Sequence, residues 1–191
     1  MKNLFVLIVL MLAFCSASAH SDSTYSFEGH IGGGFSRNLS TFDYPPPGEL
    51  NQSGFNGFAR FLWSPEHLLE VGVEIGITSM YSITPPDSSA LDKSTLNAYP
   101  FYLVLGMRPI DNLYICGAFG SAILSSVAVV EGEGNTAVTS FSTSVYLSAA
   151  YMQPLTEDLR LGGEIRATTF DRYKDFNMSF NIVLSASVIR Y

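Results

Sequence analysis

Apolar and polar residues alternate along most of this chain. From Tyr25 onward, hydrophobic side chains recur at every second position, the period of a β-strand with one apolar face. Eight segments follow this pattern: 25–36, 55–64, 69–81, 98–108, 113–124, 141–152, 159–170 and 176–191. The third is the cleanest. Leu69, Val71, Val73, Ile75 and Ile77 share one face, and Glu70, Gly72, Glu74, Gly76 and Thr78 share the other. The fifth alternates least cleanly. In the eighth, Ile189 and Tyr191 fall out of phase with Phe180, Ile182 and Leu184, and a bulge near Ala186 to Val188 would restore the phase. Helix-period stripes are absent.

The connections alternate too. Residues 37–54, 82–97 and 125–140 are expected to be long loops, rich in Pro, Gly, Ser and Asn in their middles. Residues 65–67, 109–112 and 154–158 are short, and 171–175 closes the last hairpin. Proline and glycine gather in these connections, as turns require.

Eight antiparallel strands with such connections predict an all-β, up-and-down barrel, and the remaining question is which face looks inward. No position in the apolar phase of any segment is charged. The opposite phase carries Glu28, Glu70, Glu74 and Glu164 together with Arg60, Arg108, Arg160 and Arg166. A soluble barrel built around an apolar ligand cavity could not hold these residues inside. A transmembrane barrel could, because its lumen is polar and its outer wall is apolar. An eight-stranded interior is only wide enough for side chains to fill. Four acids and four bases therefore predict a salt-bridged, plugged lumen rather than an open pore. Aromatic residues cluster at both strand ends. Tyr25, Phe27, Trp63, Tyr151 and Tyr191 lie near short turns or termini, and Phe35, Phe55, Tyr81, Tyr99 and Phe141 near long connections. Two such girdles match the two interfaces of a bilayer.

The N-terminus differs from the rest. Lys2, the apolar run 4–14 and Ala17-Ser18-Ala19 have the layout of a secretory signal peptide. Residues 1–19 are expected to be removed, leaving residues 20–191 as one barrel domain. The apolar run is too short to span a bilayer as a helix. Cys15 follows Phe14 rather than a small residue, so it is read as part of the signal and not as a lipidation site. Cys116 is then alone and has no internal disulfide partner.

Composition narrows the functional classes. The 191 residues are 47% hydrophobic and 14% charged, with formal net charge −7. Low charge is what lipid-facing strands require. A negative balance argues against nucleic-acid binding, which needs a basic surface.

Taken with the signal sequence and the alternation, the terminal Ile189-Arg190-Tyr191 resembles the C-terminal assembly signature of bacterial outer-membrane barrels. Tyr191 stands where Phe or Trp is usual. The region 20–191 resembles the small eight-stranded outer-membrane β-barrel family, the OmpA-like and OmpX-like barrels. That resemblance implies residence in the cell outer membrane of a Gram-negative cell, contact with outer-membrane lipid, and handling of the C-terminal strand by the barrel assembly machinery.

Candidate chemistry is sparse. His30 lies in the inward phase and His67 in a short turn, and neither sits in a hydrolase motif. Gly32-Gly33-Gly34 precedes no helix and no lysine, so it is not a phosphate loop. Glu131 and Glu133 are too few ligands for calcium. No cofactor or metal is expected. The expected function is non-enzymatic: a structural or adhesive role through extracellular loops that meet an outside ligand. The alternatives are a narrow barrel that transports or binds small hydrophobic molecules and, less favoured, a lipid-modifying enzyme.

Overall fold

The computed structural model describes residues 25–40, 48–65, 69–86, 91–130, 134–170 and 175–190. The expected signal 1–19, His67, Glu131, Glu133 and Tyr191 lie outside these residues. Nine strands follow in chain order: β1 (Ser26–Asn38), β2 (Glu49–Asn51), β3 (Ser53–Ser64), β4 (Leu69–Thr84), β5 (Leu91–Ile110), β6 (Leu113–Val130), β7 (Gly134–Pro154), β8 (Leu159–Phe170) and β9 (Asp175–Arg190). Eight are long, and β2 is a three-residue strand that pairs with Ser82 to Thr84 of β4. Gly48 enters β2 at φ 116°, where a side chain would also strike the Thr84 carbonyl.

Each long strand pairs antiparallel with its neighbours in sequence, and β1 pairs with both β3 and β9. Pairing of β4 with β5 completes the ring. The result is the closed, eight-stranded up-and-down barrel that the alternation predicts. Closure matters because it leaves no unpaired edge along the barrel wall.

The faces follow the period-2 pattern. Ile31, Phe61, Val73, Ile75, Leu103, Phe119, Leu147, Ile165 and Ile182 point outward and are exposed. Their inward neighbours Arg60, Leu62, Glu74, Val104, Glu164, Asn181 and Val183 are buried. In the fifth segment, Tyr114, Cys116, Ala118 and Ala122 turn inward while Phe119 and Ile123 turn outward. The phase change in β9 has a local cause. Phe27 pairs with Ile189 and Glu28 with Ser187, so Val188 is a bulged residue without a β1 partner.

The far ends of the strands depart from the sequence reading. Residues 82–97 and 125–140 are not long loops. β4 runs to Thr84, β5 starts at Leu91, β6 runs to Val130 and β7 starts at Gly134. Cross-strand pairing carries on past the point where apolar alternation fades, from Ser125↔Thr139 to Val130↔Gly134. Thr136, Val138 and Thr139 of β7 favour the pleated backbone there. These tips outrun their neighbour on one side. β7 first meets β8 at Ser144↔Phe170, ten residues into the strand.

Candidate functional site

The lumen is filled in layers, set by which residue of each strand occupies the inward phase at a given height. At mid-barrel, Arg60 of β3 sits directly opposite Glu74 of β4 in the pairing register. Glu164 and Arg166 project inward two residues apart on β8. In the ring, β4 and β8 are separated by β3, β1 and β9, so they stand on opposite walls. The contact between Glu74 and Arg166 therefore spans the barrel.

These four residues form a closed square of charge. Arg60 Nε donates to Glu74 Oε2 at 2.7 Å, and Arg60 Nη2 donates to Glu164 Oε2 at 3.0 Å. Arg166 Nη1 and Nη2 donate to the two oxygens of Glu74 at 2.7 and 3.1 Å. Arg166 Nε donates to Glu164 Oε1 at 2.9 Å. Each guanidinium faces two carboxylates and each carboxylate faces two guanidinium groups. The square is neutral, so its removal from water is offset by charge-assisted hydrogen bonds along all four of its edges, while Arg60 Nη1 has no partner.

Aromatic rings wall the square. The Arg166 guanidinium carbon lies 4.1 Å from the Phe58 ring centre and 4.2 Å from that of Tyr146, a cation–π sandwich. Tyr146 also donates its hydroxyl to Glu74 Oε2 at 2.8 Å. Tyr102 meets Tyr146 edge-on, with ring centres 4.8 Å apart. Gly32 leaves the space that the Phe58 ring occupies.

A second cluster lies nearer the short-turn end. Arg108 of β5 bonds Glu28 of β1 and reaches Glu70 Oε1 of β4 at 3.2 Å. His30 Nε2 is 3.3 Å from Glu28 Oε2, and Ser185 Oγ donates to the same oxygen at 3.3 Å. Beside this cluster is a cavity of about 10 Å³ lined by His30, Arg108, Tyr114 and Ser185 among others. That volume holds about one water. His30 Nδ1 and the Tyr114 hydroxyl, both buried without a protein partner, are suited to bind it.

Above the square the lining turns neutral and then apolar. Asn56 Nδ2 donates to Asn181 Oδ1 at 3.0 Å, and Thr78 Oγ1 donates to Asn56 Oδ1 at 2.7 Å. Met80, Ala98, Ala122 and Phe170 pack together above them, and Met80 and Phe170 are both 0% exposed. Met80 turns in at a register shift between Ser79 and Tyr81. The lumen is thus filled by ion pairs below and, above, by Met80 and Phe170 together with buried polar side chains such as Ser36 and Ser179.

Seven of the eight inward charges named from the sequence are drawn into these two clusters. Arg160 is not. It lies at the short-turn mouth and donates to the Asp111 carbonyl at 3.2 Å. Ile189 lies on the outer face of β9 and is exposed. Phe58, Tyr114 and Tyr146 join the site beyond the eight charges that the sequence singles out. Their signal was present, because each is an aromatic residue in the charge-bearing phase.

No family model matches this chain, and no curated protein matches it in sequence. Solved structures do resemble it. One is a major outer membrane protein from Thermus thermophilus, with TM-score 0.60 and 11% identity over 86% of this chain and 99% of that one. Another is Neisserial surface protein A, with TM-score 0.52 and 11% identity over 86% and 99% of the two chains. A third is Ail, the attachment invasion locus protein of Yersinia pestis, solved with the heparin analogue sucrose octasulfate. It gives TM-score 0.51 and 13% identity over 90% and 100%. The chain has the fold of the small eight-stranded outer-membrane β-barrels. That fold accounts for the exposed apolar wall, which is the lipid-facing surface of such barrels.

Proposed function

We propose that this chain is a non-enzymatic outer-membrane barrel that acts at the cell surface through the strand tips opposite its short turns. The observation that carries the reading is the filled lumen. The Arg60–Glu74–Arg166–Glu164 square crosses the interior, and the apolar layer of Met80 and Phe170 covers it. A solute path would have to break both. Activity is then left to the exterior, where β5, β6 and β7 rise beyond β8. The short turns face the periplasm and the strand tips face outward, as in barrels of this fold. The signal-like N-terminus delivers the chain, and Ile189 and Tyr191 present the last strand to the assembly machinery.

The attachment role carried in the name of Ail fits this reading. Its sulfated ligand does not transfer, because this chain is acidic overall, with formal net charge −7. A lipid-modifying role would need a nucleophile and base reachable from the lipid. His30, the one histidine among the described residues, is buried inside the lumen against Glu28.

The reading is tested by expressing the chain in a Gram-negative host. Outer-membrane fractionation with heat-modifiable gel migration checks its location. Retention of those cells on protein-coated surfaces and on sister cells checks adhesion. The expected result is outer-membrane protein and raised retention, abolished when residues 127–139 are replaced by a short turn. Recovery in the soluble periplasm, or retention equal to that of empty cells, overturns it.

A further inference from the structure

The tip of β7 is an open sheet edge of an unusual kind. Thr136 to Phe141 pair with β6 on one side. On the other side no described strand pairs with them, because β8 ends at Phe170 opposite Ser144. Residues 136–141 are all exposed, and Phe141 reaches 85%. Proteins normally blunt such an edge with charge, proline or a bulge. The segment Gly134 to Phe141 has no charged residue and no proline, and it pairs with β6 without a register shift. Its backbone N–H and C=O groups are thus presented as a ready template.

We propose that this edge is a docking site for an extended peptide segment of a partner protein, which adds as an antiparallel strand beside β7. The inference rests on the surface-interaction reading above and names the partner class for it. Main-chain hydrogen bonds would supply the affinity of such an added strand, and side chains at alternate positions its selectivity. The incoming strand would lay alternate side chains beside Ala137, Thr139 and Phe141 on one face and Thr136, Val138 and Ser140 on the other. β-branched and apolar residues suit these neighbours. The chain is acidic overall, with formal net charge −7, so basic residues flanking the docking segment suit it.

A second copy in the same membrane does not fit. All copies cross the membrane in the same sense, so two β7 edges brought face to face run parallel about a two-fold axis. Each residue then lies level with its own copy, N–H against N–H and C=O against C=O. Pairing would require a slide that breaks the symmetry.

The test uses the full chain folded in phospholipid nanodiscs. The probe is a ten-residue synthetic peptide of alternating threonine and valine with a lysine at each end. Hydrogen exchange is followed residue by residue. At nine-tenths occupancy the edge-facing amides within 136–141 should exchange roughly tenfold more slowly, with 145–152 unchanged. Two further peptides carry N-methyl groups, one on alternate residues and one on every residue. The first keeps one intact edge and should keep its protection, and the second has none and should lose it. No protection by the parent peptide, or undiminished protection by the fully methylated one, overturns the docking edge. Equal protection by a peptide of this chain's own residues 134–143 would assign the edge to a copy on a facing cell and overturn the foreign partner. Cell retention that persists while the peptide fails to protect would sink the edge and leave the adhesive reading standing.

Discussion

The lumen and the tip of β7 answer the same physical demand in opposite ways. Both present polar groups that need partners. At mid-barrel Arg60, Glu74, Glu164 and Arg166 pair with one another, with Arg60 Nη1 left as the one buried polar atom of the four that has no partner, and are 0–4% exposed along their side chains. At the tip, Thr136 to Phe141 carry backbone groups whose partners lie on one side among the described strands. The first region is closed within the chain, so changing one member leaves charges stranded in a low dielectric. The second stands in water, so changing a side chain disturbs little of the fold. Stability is concentrated where the chain is self-sufficient, and the proposed interaction falls to the part that is not.

The contrast can be broken at graded cost. The largest expected effect is Glu74→Ala, which leaves Arg60 and Arg166 facing a single carboxylate. A lost partner in a buried pair costs about 3–5 kcal/mol. Urea unfolding of protein folded in phospholipid vesicles measures it, with Trp63 as the reporter because the chain has one tryptophan. Next is Val73→Arg, outward-facing between Phe61 and Leu103. At the lipid midplane this costs roughly 2–4 kcal/mol. A neutral result in the same titration would show that the outer face does not meet lipid. Tyr146→Phe removes one of several bonds to Glu74 while keeping the ring over Arg166, and about 1 kcal/mol is expected. Smallest is Val138→Lys at the tip. The unfolding free energy should stay within about 0.5 kcal/mol of the parent. A loss comparable with that of Glu74→Ala would mean that the tip is part of the folded core.

The same contrast marks what the sequence could and could not disclose. An apolar outer wall and a filled lumen force a strict period of two. The outward and inward assignments over residues 69–81 of β4, and even the bulge at Val188, are therefore visible as phase. Beyond the apolar wall that constraint ends. Residues 125–140 lose the apolar alternation and read as loop, yet they continue as strand because backbone pairing needs no apolar face. Pairing within the lumen was harder to foresee. Charge in the inward phase was legible, but partner choice depends on barrel registry, which sets Glu74 across from Arg166 and leaves Arg160 with the Asp111 carbonyl. The rings of Phe58 and Tyr146 were hidden in plain sight, since alternation alone does not say which inward side chains touch.

The filled lumen is the claim on which the rest depends, and ion flux tests it most directly. Purified protein, refolded and shown to be folded by its heat-modifiable migration, is incorporated into a planar lipid bilayer under an applied voltage. The account predicts no steady conductance above that of the bare bilayer. Stable, protein-dependent current steps would contradict it and return the lumen to the functional surface.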